Sequence, residues 1–349
     1  MRGMKAEKIQ QQREAIPTTE HRIPLKQVDI SLRSRFIVWL MRRLLRPMLS
    51  WMTSGDIDRI ARVQLWLAGR VCKQTFGQAL DYCVVGKVPG HVIGDLTATD
   101  GPALLYIHGG AFIIPAVPET HIAVVARMCR DLGATGFVVD YRLAPASKFP
   151  CALDDCENAY RALLELGFKP ERIAVAGESA GGNLVLGLIQ RIRRKGLPMP
   201  ACIVPISPVT EMGRIHAPPS RALKMRADPI LPIAALSRVS EMYVGTHDSA
   251  DPELSPLYAD LKGFPPAFLL ATDNEVLCDD TMLLARRFRE AKIPCTCEVW
   301  PLFPHAFPLF ERFFPEVREA RRTIVAFMAG HIGVADVRQK DEPERRAAA

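Results

Sequence analysis

From about residue 79 onward the hydrophobic pattern changes its period, and that change constrains the fold more than any other feature of the 349-residue chain. Short β-rich apolar runs recur at Asp81–Gly86, Ala103–His108, Gly136–Tyr141, Arg172–Gly177, Ala201–Ser207, Ala267–Thr272 and Cys295–Trp300. Helical spacing fills the intervals near Thr120–Leu132, Ala152–Leu166, Ala180–Lys195, Asp279–Ala291 and Pro315–Gly330. Strands apolar on both faces, such as Ala103-Leu-Leu-Tyr-Ile107, cannot face water. The alternation therefore predicts an α/β protein with a mostly parallel central sheet covered by helices on both faces. One insertion, Glu211 to about Gly245, interrupts it, with a helical pattern at Ile233–Tyr243. With the N-terminal helices it is expected to cap the sheet's carboxyl edge, where open α/β sheets bind ligands. The division expected is 1–78 for cap helices, 79–335 for the main domain with its cap insertion at 211–245, and 336–349 for a solvated tail.

Composition removes several classes. At 48% hydrophobic and 24% charged the chain can bury a sizeable core, which excludes collagen-like and disordered proteins. The nine cysteines are scattered and contain no CxxC pair. They read as small core residues in a reducing compartment, with neither a disulfide framework nor a zinc site. The charged start lacks the apolar stretch of a signal peptide, so a cytoplasmic location is expected. Charge is lopsided: residues 1–72 hold fourteen Lys/Arg against six Asp/Glu, a net of +8 within a total of +7, which leaves the rest at −1.

Within that basic segment Leu32, Phe36, Leu40, Leu44 and Met48 recur every four residues. They predict an amphipathic helix kinked or ended by Pro47, and Ser54-Gly-Asp56 opens a second helical pattern with Ile57, Ile60, Ala61, Gln64 and Leu67 on one face. The first stripe is expected to roof the pocket at the sheet's carboxyl edge. Peripheral contact of these basic helices with anionic lipid is the second reading. Nucleic acid is not expected as a partner, and neither dinucleotide nor P-loop glycine motifs occur.

The chemistry-bearing residues lie at strand ends. Gly177-Glu-Ser179-Ala-Gly181 fits the nucleophile-elbow pattern, in which small residues let the chain turn sharply from strand to helix and present the serine hydroxyl. His108-Gly109-Gly110-Ala111 leaves another strand, and consecutive glycines let backbone N–H groups approach a developing oxyanion. The donors expected are Gly109, Gly110 and Ala180. A Ser…acid…His order requires a late histidine: His305, straight after Cys295–Trp300, is the candidate base, whereas His331 at a helix end reads as structural. For the acid, Asp273, Glu275, Asp279 and Asp280 compete on spacing alone, Asp273 being nearest the strand end.

At these residues the chain resembles the hormone-sensitive-lipase-like α/β-hydrolase esterases, also called bacterial lipolytic family IV. The resemblance covers roughly residues 79–330 and rests on His108-Gly-Gly, Asp140–Pro145, Ala152–Asp155, Gly177–Asn183, Ser255–Tyr258 and Pro304–Phe307. It implies the α/β-hydrolase fold, a small-molecule ester substrate of short to medium acyl length, no cofactor or metal, and a cap built from N-terminal helices and a later insertion. It also favours Glu275 as the acid, since the family's D/E-x-L-x-D pattern falls on Glu275-Val-Leu-Cys-Asp279. Ala111 departs from the family's third glycine and Ala146 from its usual glutamate. Lactone or amide hydrolysis on the same machinery, or a non-catalytic receptor on the same fold, are the alternatives. The oligomeric state is open, a dimer included.

Overall fold

The structure is a computed structural model that describes residues 23–53, 62–64, 66, 77–213 and 218–334. The expected tail, the first 22 residues and most of the helical pattern after Ser54 lie outside them. Among the described residues eight strands form one sheet in the order β1-β2-β4-β3-β5-β6-β7-β8. They are β1 Leu80–Val85, β2 Val88–Ile93, β3 Ala103–Ile107, β4 Thr135–Val139, β5 Ile173–Glu178, β6 Cys202–Ile206, β7 Ala267–Thr272 and β8 Cys295–Trp300. The pairs β1·β2 and β2·β4 are antiparallel and the others parallel.

Seven of these strands follow the expected runs to within a residue or two. The eighth, β2, lies outside the expected runs; it contains Pro89 and Gly90, residue types that strands disfavour. The turn lies just before it: Gly86 and Lys87 have φ of 56° and 75°, the left-handed pair that closes a two-residue hairpin. Gly90 is needed within the strand, because a Cβ there would stand 2.4 Å from the carbonyl oxygen of Val138.

The helices follow in chain order: α1 Leu32–Leu40, α2 Arg46–Thr53, α3 Ala123–Leu132, α4 Cys151–Glu165, α5 Ala180–Arg194, α6 Ser220–Leu223, α7 Ile233–Val244, α8 Cys278–Glu290 and α9 Val317–Ile332. Side chains of α4, α5 and α8 fill the core on one sheet face, and those of α3 and α9 fill it on the other. At the β8 edge Leu25 bridges to Val299 and Lys26 pairs with Glu298 at 3.0 Å, so that edge is covered by the chain's own N-terminal segment.

Two expectations for the N-terminal helix change. Pro47 does not end it: a π-helical turn, Met41–Leu45, joins α1 to α2, and the wider turn accommodates a residue without an N–H. The stripe Leu32, Phe36, Leu40, Leu44 and Met48 does not roof a pocket, for all five side chains are exposed. The inward face is instead Ser34, Val38 and Met41, with Ile37 and Leu45 partly buried beside them. The buried Ser34 hydroxyl donates to Glu316 Oε2 at 2.8 Å, which seats α1 at the start of α9.

Candidate active site

Ser179 occupies the turn between β5 and α5 at φ 58° and ψ −118°, a conformation that L-residues rarely adopt. Glycines make the turn sterically feasible. A Cβ on Gly181 would lie 1.9 Å from the Ile107 carbonyl oxygen, and one on Gly177 2.5 Å from the same atom. The Ser179 N–H donates to the carbonyl of Ile206 at 2.8 Å, which pins the turn to the end of β6. The side chain borders a cavity of about 20 Å³ shared with Ala111, Phe112, Val209, Met212, Leu231 and Val239. That volume holds little more than one water. Leu231 and Val239, from the 211–245 insertion, form part of this wall.

Of the four competing carboxylates, Glu275 is the one that meets His305, through Oε2 and the imidazole Nδ1. Glu275 is fully buried, and its Oε1 accepts from the Thr272 N–H at 2.8 Å and the Ser207 hydroxyl at 2.9 Å. Asp273 accepts from the Leu302 N–H at 2.9 Å and so shapes the loop leading to His305. Asp279 accepts from the Ser220 N–H at 2.7 Å, and Asp280 pairs with the buried Arg221. His331 bonds the carbonyl of Phe327 at its own helix end. Burial pushes the His305 pKa down, but the Glu275 carboxylate more than offsets this and holds it above the ordinary histidine value. The His305 Nε2 is buried and meets no hydrogen-bond partner among the described residues.

Sequence reasoning missed the supports. Ser207 joins the parts, since it follows Ile206, the acceptor of the Ser179 N–H, and its hydroxyl reaches Glu275. Its φ of 45° at a strand end is unusual for a serine, but no sequence pattern announced it. Asp228 of the insertion, fully buried, accepts from the N–H groups of Ile230 and Val276, both at 2.9 Å, and so binds the cap to the residue after Glu275. Burial raises its pKa, opposed by the nearby His305 and these N–H groups.

The oxyanion loop requires a correction. The Gly109 N–H does not face the cavity, because it donates to Glu178 Oε1. A Cβ at Gly109 would lie 2.9 Å from that same oxygen, so the glycine permits the approach. Among the described residues the N–H groups of Gly110, Ala111 and Ala180 meet no protein acceptor, and Ala111 borders the cavity. Glu178 is almost wholly buried and stands 3.0 Å from His121 Nε2. Burial pushes its pKa up, but His121, the Tyr106 hydroxyl and the Gly109 N–H together bring it below the usual carboxylate range. Beside it, burial and the neighbouring His121 lower the His108 pKa to about 4. No group of three His, Cys, Asp or Glu side chains among the described residues is placed to share a metal ion.

The model of a protein family described as the alpha/beta hydrolase fold matches residues 104–309, more than half of the chain. The chain belongs to that family. Among curated proteins it is similar to an acetyl-hydrolase of Streptomyces hygroscopicus, 35% identical over 253 residues that span 70% of this chain and 84% of that one. It is also similar to the hormone-sensitive lipase of Mus musculus, 34% identical over 175 residues, 44% of this chain and 23% of that one. Among solved structures, an esterase of the bacterial hormone-sensitive lipase family superposes with a TM-score of 0.75 at 29% identity, covering 88% of this chain and all of that one. This α/β hydrolase is thus one of the hormone-sensitive-lipase-like esterases, a carboxylic-ester hydrolase.

Proposed function

We propose that this α/β hydrolase cleaves short-to-medium acyl esters through an acyl-enzyme on Ser179, with His305 as base and Glu275 as the acid that orients it. One observation carries the reading: Glu275 holds His305 by Nδ1, leaving a buried and unengaged Nε2 at the strand edge where the strained Ser179 is displayed. In that tautomer Nε2 takes the serine proton as the hydroxyl attacks the ester carbonyl, and the imidazolium formed is stabilised by Glu275. The N–H groups of Gly110, Ala111 and Ala180 are the donors for the tetrahedral oxyanion, in place of a set that included Gly109. His305 then protonates the leaving alcohol and activates the water that releases the acid.

The small apolar cavity at Ser179, walled by Phe112, Val209 and Met212, supports the short end of the acyl range. A fluorophosphonate probe should label Ser179 alone, and Ser179→Ala should abolish both labelling and turnover of p-nitrophenyl acetate. Residual turnover in a folded Ser179→Ala protein at more than about a thousandth of the parent rate would refute the nucleophile. A rate that rises with acyl length beyond about eight carbons would refute the acyl-length reading.

A further inference from the structure

The N-terminal helix presents to solvent what a core helix would bury. Along α1, the π turn and α2, exposure falls on Leu32, Phe36, Trp39, Leu40, Leu44 and Met48, at 84%, 60%, 49%, 38%, 63% and 49%. Spacings of three and four residues place them on one outward face, opposite the seated Ser34, Val38 and Met41. Scattered exposed apolar residues need no explanation, but a continuous face of six with two stacked aromatics does.

Charge identifies what would cover it. Residues 32–53 contain five arginines and no Asp or Glu. Arg33, Arg35 and Arg43 are exposed on or beside the apolar face, with the Arg43 guanidinium over the Trp39 ring at 5.8 Å. Arg42 and Arg46 are turned to the body of the protein, where they donate to main-chain carbonyls at residues 225–227. An apolar strip carrying aromatics and bordered by the exposed Arg33, Arg35 and Arg43 is complementary to an anionic bilayer surface: acyl chains take the apolar side chains, and headgroup phosphates take the guanidinium groups. A second copy of the chain would bring the same positive charge to the contact and is disfavoured. No helix among the described residues is long and apolar enough to cross a membrane, which fits a helix lying in the interface plane.

We infer that the outward face of residues 32–48 docks this hydrolase on anionic lipid bilayers. The docking helix is connected to the cap: α2 packs against α7, which contributes Val239 to the cavity wall at Ser179. The docking itself does not depend on the identity of the catalytic residues.

The test uses the full chain with vesicles of phosphatidylcholine alone or with about one third phosphatidylglycerol, followed by flotation and by turnover of soluble p-nitrophenyl acetate. Binding to the anionic vesicles, weakened by 0.5 M NaCl, is expected. Arg33→Glu/Arg35→Glu/Arg43→Glu should weaken partitioning by roughly a hundredfold or more, on the scale of about fivefold per basic residue near the surface. Phe36→Glu/Leu44→Glu should abolish it. Both variants alter exposed side chains only and should keep the parent's turnover in solution. No binding by the parent, equal binding to neutral vesicles, or unchanged binding by the arginine variant would each overturn the proposal. So would sedimentation as a dimer that the Phe36→Glu/Leu44→Glu variant dissociates, with no vesicle binding. Loss of p-nitrophenyl acetate turnover in Ser179→Ala leaves the docking measurement intact, so failure of the catalytic reading is distinguishable from failure of this one.

Discussion

Glu178, the residue before the proposed nucleophile Ser179, offers the most direct test of how the loop at Gly109–Ala111 is held, through the near-isosteric change Glu178→Gln. The carboxylate accepts from the Gly109 N–H and stands 3.0 Å from His121 Nε2, in surroundings that leave it 1% exposed. A hydrogen bond to a charged group contributes about 1.5–3 kcal/mol and a neutral one about 1, so two such contacts lose roughly 1–4 kcal/mol when the charge is removed. Relief of the carboxylate's own burial cost offsets part of this, and a net loss of about 1–2 kcal/mol is expected in urea unfolding at pH 7. The kinetic effect should be larger than stability alone requires. Gly109 leads directly into Gly110 and Ala111, and complete loss of one oxyanion donor typically lowers kcat by about 10²–10³. A loop displaced but not removed should lose roughly ten- to a hundredfold in kcat for p-nitrophenyl acetate with KM little changed, the pattern of an interaction made in the transition state. A Glu178→Gln protein that unfolds more easily yet keeps kcat within twofold would show that the carboxylate is structural and does not position the loop.

Further outcomes follow from the same geometry. Because His305 must be neutral to act as base and its pKa is raised, kcat/KM should fall with decreasing pH through a midpoint above the ordinary value of 6.5. Glu275→Gln should move that limb below 6.5 and lower kcat; a limb that stays in place would refute Glu275 as the cause. The same shift makes the His305 contribution to stability fully present below pH 6.5 and lost as pH rises through its folded value. His108 works in the opposite sense: its pKa of about 4, against 6.5 in the unfolded chain, should remove about 3 kcal/mol of stability between pH 7 and 4. Urea midpoints should show His108→Gln losing less than the parent over that range, and equal losses would refute the assignment. Gly181→Ala places a Cβ 1.9 Å from the Ile107 carbonyl, so it should yield no folded protein or a Tm lower by at least about 10 °C; a Tm within two degrees of the parent would refute the packing argument.

The strands and helices were legible where an apolar run or a helical stripe recorded burial directly, as in β3, β5 and α5. β2 escaped because Pro89 and Gly90 are turn residues by composition, and only the approach of Phe137 and Val138 explains a glycine there. The N-terminal helix escaped for a different reason. Periodicity states which residues share a face but not what that face meets, and this helix is apolar on both sides, with Val38 and Met41 inward and Phe36 and Leu44 outward. At the site, Ser179 and His305 were marked by motif and chain order. Glu275 was one of four carboxylates, and the resemblance favoured it before the contact with His305 distinguished it from Asp273. The Gly109 contact was not legible because a glycine pair announces close backbone approach without stating which amide meets the Glu178 side chain.

The charge imbalance between the N-terminal segment and the rest of the chain has a structural basis in how the helix is fastened. Arg42 donates to the carbonyl of Ala227 at 2.7 Å, and Arg46 to those of Arg226 and Met225, so both anchors end on main-chain oxygens. The next residue, Asp228, then accepts from Leu231 and Val276, carrying the connection on to the turn that holds Glu275. Fastening through aspartate or glutamate side chains would have secured the helix equally well and cancelled its charge. Carbonyl acceptors take Arg42 and Arg46 without neutralising them, and the carboxylate that seats the other end of the helix, Glu316, meets the uncharged Ser34 hydroxyl and Ser31 N–H. The positive charge on the outward apolar face thus survives the contacts that fasten the helix to residues 225–227.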